Sequence, residues 1–108
     1  MAFKTDLEAL VLGSLQEQPL HGYEISKRIS AQSQGLLKIG EGQLYPALHK
    51  LEERGLIEAE WVAQEGKPNR KTYSLTATGS KELEAKRHEW KKFSSSIGSI
   101  LLVKKEAH

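Results

Sequence analysis

Apolar residues at Leu7, Leu10, Val11 and Leu15 fall at helical spacing, and Leu12 widens the stripe, so residues 5–17 are predicted to form a helix buried on more than one side. Thr5 or Asp6 supplies the cap, and Pro19 ends the element. Gln18 to Gly22 then turns into a second, shorter helix with Ile25 and Ile29 on its inner face, finished before Gly35. Leu36, Leu37 and Ile39, bracketed by Gly35, Gly40 and Gly42, suit one short strand or an extended linker. Leu44, Ala47, Leu48 and Leu51 repeat at i, i+3, i+4, i+7 and predict a third helix closing at Gly55, a C′ glycine. With Gly42 as its N-cap, Pro46 falls in the first turn, where the ring costs little.

From Leu56 the period becomes two. Ile57, Ala59 and Trp61 alternate with Glu58, Glu60 and Val62, and Lys71, Tyr73 and Leu75 alternate with Thr72 and Ser74. This predicts a β-hairpin joined by a mobile loop, Ala63 to Arg70, which carries Gly66, Pro68 and Asn69. Thr76 caps a last helix whose Leu83, Trp90 and Ile97, with Phe93 and Ile100, follow a seven-residue repeat that Lys86 breaks once. Serines and Gly98 weaken its end, and the tail after Val103 is expected to fray.

The fold class is therefore mainly α with a small β-hairpin: a winged helix-turn-helix followed by a C-terminal helix. Residues 1–76 form the winged unit, and residues 77–108 the dimerisation helix and tail. Such bundles bind DNA, and they also serve as protein-interaction modules, so topology alone leaves both open.

Composition narrows the classes. At 108 residues the chain is sized for one compact domain that still gains from a second subunit. Sixteen Lys and Arg against fourteen Asp and Glu give a net charge of only +2, so the case for nucleic acid rests on local clustering. The absence of cysteine removes disulfides and thiolate chemistry, and fits a reducing, cytoplasmic setting. The run Ala9 to Leu15 is too short to span a bilayer, and Asp6 and Glu8 make it a poor signal peptide, so no membrane partner is expected. No nucleophile or phosphate-loop motif is present, Asp6 is the only aspartate, and His21, His49, His88 and His108 stand far apart. Neither an enzyme, a cofactor nor a metal is expected.

Four ordered segments carry a family likeness: His21-Gly22-Tyr23-Glu24-Ile25, Gly42-Gln43-Leu44-Tyr45-Pro46-Ala47-Leu48, Leu51-Glu52-Glu53-Arg54-Gly55-Leu56-Ile57 and Arg70-Lys71-Thr72-Tyr73-Ser74-Leu75-Thr76. From about Leu10 to Gly79 the chain resembles, in register, the PadR family of bacterial transcriptional regulators, and its single helix after the hairpin resembles the short-tailed branch. The resemblance implies a homodimeric winged-helix repressor of transporter or detoxification genes, sometimes relieved by phenolic or other aromatic compounds.

The apolar stripe of the third helix leaves Gln43, Tyr45, Pro46, His49 and Lys50 off the core face, together with Glu53 and Arg54. By pattern alone this is a solvated face. The likeness makes Gln43, Tyr45, Pro46 and Lys50, and less directly His49 and Arg54, candidates to reach base edges and phosphates of double-stranded DNA. Tyr23 opens the second helix, where a phenol either donates to a phosphate or packs, and Lys27 follows one turn later; His21 shapes the turn. Lys67, Arg70 and Lys71 place three cations in five residues without an acid, and suit phosphate neutralisation by a wing.

On the last helix Trp90 is an expected anchor between subunits. Leu7, Val11, Leu83, Phe93, Ile97, Ile100 and Leu101 complete the expected dimer interface, with residues 77–101 packed on helix one of the partner. The likeness adds a sharper alternative, in which Trp90 and its symmetry mate flank a pocket for a flat aromatic effector lined by Leu83, Arg87, Phe93 and Ser94, with Leu7 or Val11 opposite. A protein-interaction module, and an aromatic- or drug-binding protein without specific DNA binding, stand as rival functions.

Overall fold

A computed structural model describes residues 6–103; Thr5 at the expected start of the first helix, and the tail after Val103, lie outside the described residues. The element order is α1 (Leu7–Ser14), β1 (Leu20–His21), α2 (Gly22–Gln32), α3 (Glu41–Glu53), β2 (Ile57–Gln64), β3 (Lys67–Leu75) and α4 (Ala77–Leu101). The three strands form one antiparallel sheet in the order β1-β3-β2. This is a winged helix-turn-helix.

Asp6 caps α1 by accepting from the Ala9 amide at 3.1 Å, and Val11, Leu12 and Leu15 are buried. The helix stops at Ser14 rather than 17, because Gly13 and Ser14 hold a helix weakly and the chain must extend before Pro19. The two-residue strand β1 follows, pairing Leu20 with Tyr73 and His21 with Thr72. No strand forms across residues 36–42. Residues 36–40 are the extended linker, pinned by Leu37 and Ile39 against the core and by the Ser26 hydroxyl donating to the Ile39 carbonyl at 3.0 Å.

Helix α3 starts two residues earlier than expected, with Gly40 rather than Gly42 as its N-cap, so Pro46 lies inside it rather than in the first turn. The Gly42 carbonyl therefore lacks its i+4 amide donor. The buried side chains Leu44, Ala47, Leu48 and Leu51 hold the helix onto the core that Leu12, Leu20, Ile25 and Ile57 complete.

The hairpin differs most from expectation. Instead of a mobile loop from Ala63 to Arg70, the strands continue almost to the tip and turn at Glu65–Gly66, with Gly66 at φ 70°. The register passes from Val62↔Arg70 to Gln64↔Lys67, so one extra residue is accommodated on β3, and Pro68 with its missing N–H sits at that bulge.

Thr76 caps α4, accepting from the Gly79 amide at 2.9 Å while its hydroxyl donates to the Gly55 carbonyl at 2.6 Å. Only Gly79 and Leu83 of this 25-residue helix are buried, and both lie near its start. The rest projects, giving the molecule extents of 69 × 28 × 23 Å.

Candidate nucleic-acid interface

The outward face of α3 carries five of the expected residues together. Gln43, Tyr45, Pro46, His49 and Lys50 are all exposed, opposite the buried Leu44, Ala47, Leu48 and Leu51. His49 Nε2 lies 3.0 Å from Glu53 one turn on, which orients the imidazole along the helix. Arg54 instead turns away to pair with Glu8 of α1 at 2.7 Å, fastening the two helices rather than joining the exposed face. The Tyr45 ring lies over the start of α2, so close that a Cβ on Gly22 would stand 2.8 Å from its hydroxyl.

The start of α2 sits beside this face. His21 caps the helix through Nδ1, which accepts from the Glu24 amide at 3.4 Å, and the Glu24 carboxylate returns to the His21 amide at 3.1 Å. Because Nδ1 accepts, the imidazole proton belongs on Nε2, 3.2 Å from the Glu24 carboxylate. Tyr23 projects into solvent with His21 stacked alongside and the Lys27 ammonium 5.2 Å from its ring centre.

Burial, opposed by the Glu24 carboxylate and assisted by Arg70 and Lys27, lowers the His21 pKa below its ordinary 6.5. The fold thus favours neutral His21, so its contribution is full above about pH 6.5 and falls as pH drops through that value toward the folded pKa. Urea unfolding at pH 7.5 and 5.5 is expected to show a larger acid loss for wild type than for His21→Asn, which keeps a capping oxygen. Equal losses would show that this cap does not titrate with folding.

The wing cations divide. Lys67 and Arg70 are exposed on the hairpin, and the Gln64 amide oxygen, in the orientation that satisfies both groups, accepts from Arg70 Nε at 2.7 Å. Lys71, by contrast, is half-buried. Its ammonium lies 3.3 Å from Glu52 of α3 and 5.4 Å from the centre of the Tyr73 ring, so it joins wing to α3 rather than standing with Lys67 and Arg70 as a free cation. Glu52, on the wing side of α3, is Lys71's partner.

Trp61 was not foreseen at this face. Alternation places it with the inward Ile57 and Ala59, but β2 outruns the core and leaves Trp61 66% exposed. Tyr23, Tyr45, Trp61, Tyr73, Arg70 and Lys71 line a groove of about 470 Å³ between the two helices and the wing.

The expected dimer and effector residues scatter differently. Val11 and Leu83 are buried within the chain's own core, and Leu7 packs against that core, so Val11 and Leu83 offer no surface to a partner or an effector. Their spacing marks the apolar side of each helix without saying which chain covers it. Trp90, Phe93, Ile100 and Leu101 are exposed, and Ile97 is half-exposed. Trp90 and Phe93 have ring centres 6.0 Å apart. Arg87 is engaged by Glu84 and by Gln16 in the turn after α1, and the Ser94 hydroxyl donates to the Lys91 carbonyl, so neither points freely toward Trp90.

A tie between α4 and α1 is made by Lys86 and Asp6 at 2.7 Å. Desolvation raises the Asp6 pKa, but the Lys86 ammonium and the Ala9 amide outweigh it and hold the carboxyl below its usual range. Among the described residues no group of three or more His, Cys, Asp or Glu side chains gathers to hold a metal, and no helix is long and apolar enough to cross a membrane.

Comparison with known proteins follows the same outline. Residues 11–85 match the profile of the transcriptional regulator PadR-like family. A negative transcriptional regulator, PadR, of Bacillus subtilis is 32% identical over 84 residues, which are 78% of this chain and 44% of that protein. The structure of a transcriptional regulator from Clostridium thermocellum superposes with a TM-score of 0.78 at 33% identity, covering 88% of this chain and 92% of that one. Bacillus subtilis PadR in complex with operator DNA superposes at 0.66 with 27% identity, covering 94% of this chain but only 49% of that longer one. With its outward α3 face, its wing and a profile match across most of its length, the chain belongs to the PadR-like family of transcriptional regulators, and it is not an enzyme.

Proposed function

We propose that the protein is a repressor that binds a pseudo-palindromic operator as a homodimer, setting two copies of α3 into successive major grooves with the wings along the backbone. The observation that carries this reading is the exposed row Gln43, Tyr45, Pro46, His49 and Lys50 on a helix whose other side is buried. Amide, hydroxyl and cationic groups on such a face can reach base edges and phosphates. The solved complex of Bacillus subtilis PadR with operator DNA supports the DNA partner. In this reading residues 1–76 are the DNA-binding unit and residues 77–108 the dimerisation helix and tail. Two-fold symmetry sets the half-sites about one helical turn, roughly 34 Å, apart.

The exposed Trp90 and Phe93 rings favour a second role for the same helix, stacking a planar aromatic effector between subunits. Bound there, the effector would release DNA by changing the angle between the subunits.

The test is anisotropy titration of the intergenic DNA beside the gene, at several salt concentrations. Lys67→Ala with Arg70→Ala is expected to weaken binding to operator and random duplex alike, and to flatten the slope of log K against log salt by about 1.8 if each cation neutralises one phosphate. Gln43→Ala should weaken the operator selectively. If the wing pair binds random duplex as wild type does, the wing is not on the backbone. A protein-interaction module would show no salt-sensitive preference for its own upstream DNA.

A further inference from the structure

Trp61 stands where the sheet runs past the core. Along the inward side of β2 burial falls from Ile57 at 1% exposure, through the half-buried Ala59, to Trp61 at 66%. The indole sits opposite Lys71 in the strand register, at the mouth of the groove shared with Tyr23 and Tyr45. Lys71 is held beside that groove by Glu52 and the Tyr73 ring, and among the described residues no carboxylate lines the groove itself. An occupant must therefore offer an anionic group to the cations and an apolar surface to the indole. A deoxyribose joined to its phosphate offers both within one nucleotide.

We infer that Trp61 is a further DNA-contacting residue, its ring forming the outer wall of a groove in which one sugar-phosphate strand lies with a deoxyribose on the indole and a phosphate toward Arg70 and Lys71. This rests on the DNA-binding reading above and deepens it. The contact is apolar and blind to sequence, so it adds affinity for all duplexes without releasing counterions.

Trp61 and Trp90 are the only two tryptophans, so Trp90→Phe leaves Trp61 as the sole indole reporter while keeping a ring at position 90. Adding operator duplex to that variant is expected to change Trp61 emission in step with the anisotropy of labelled DNA. Trp61→Ala should weaken operator and random duplex equally, by about five- to tenfold if roughly 50 Å² of ring leaves water on binding, with the salt slope unchanged. Trp61→Phe should recover most of the loss, and thermal melts of both variants should match wild type because the ring is outside the core. The assignment is overturned if wild type binds DNA while Trp61→Ala binds equally well and Trp61 emission stays constant. Wild type that binds no duplex at any salt overturns the DNA-binding reading itself, and this assignment with it.

Discussion

Gly79→Ala is expected to destabilise the protein by roughly 3 kcal/mol, lowering its Tm by about 15 °C. A Cβ at position 79 would stand 1.8 Å from the Leu56 carbonyl oxygen and 2.9 Å from the Leu56 carbonyl carbon. Both are backbone atoms, so no rotamer change relieves the clash. Helix α4 cannot simply back away, because the Thr76 amide donates to that same Leu56 oxygen at 3.2 Å and the Thr76 hydroxyl is bound to Gly55. The sign is diagnostic, since glycine to alanine within a helix ordinarily stabilises by about 1 kcal/mol. Gly98→Ala is the control: its nearest neighbour would be the Leu102 side chain at 3.7 Å, an ordinary contact, and it should hold or raise the stability. Urea unfolding of the two variants gives the answer. A Gly79→Ala protein as stable as wild type would mean that α4 is not seated on Leu56.

If the protein pairs as proposed, replacing Trp90 and Phe93 together by alanine is expected to shift it from dimer to monomer in sedimentation, and to weaken an operator with two half-sites by about 10²- to 10⁴-fold. The exposed apolar groups of α4 are concentrated here and at its end, with Trp90 61%, Ile100 74% and Leu101 64% exposed in the single chain. Losing the joint removes the gain from binding two half-sites at once, whereas affinity for a duplex carrying one half-site should stay near that of wild type. The melting of the folded core should also change little, because that core contains neither ring. A double variant that remains dimeric at micromolar concentration would place the joint elsewhere.

Much of this architecture is written in spacing. The i, i+3, i+4, i+7 pattern of Leu44, Ala47, Leu48 and Leu51 decides which side of α3 is wet, and burial agrees at every one of those positions. Pairing across the chain is less legible. Strand β1 has two residues, too few to display a period, and its existence depends on Tyr73 far along the sequence. At the hairpin Gly66, Pro68 and Asn69 have the composition of a loop, yet a tight turn and a bulge absorb all three. Alternation gave the side of β2 on which Trp61 sits, but the edge of the core is a property of the assembled domain. The heptad positions likewise locate the apolar side of α4, and only the packed chain shows that Leu83 is consumed internally while Trp90 is left outside.

Because α4 is held only towards its start, by Gly79 and Leu83 in the core and by the Lys86–Asp6 and Arg87–Gln16 contacts, its remaining length behaves as a lever arm with its pivot at that seat. A 25-residue helix is about 37 Å long, so each degree of tilt at the pivot carries the far tip through about 0.6 Å. In the proposed homodimer, spreading two such arms by a few ångströms near Trp90 would rotate the heads they carry by several degrees. A molecule no thicker than one ring could in this way move a pair of reading helices out of phase with a turn of the duplex.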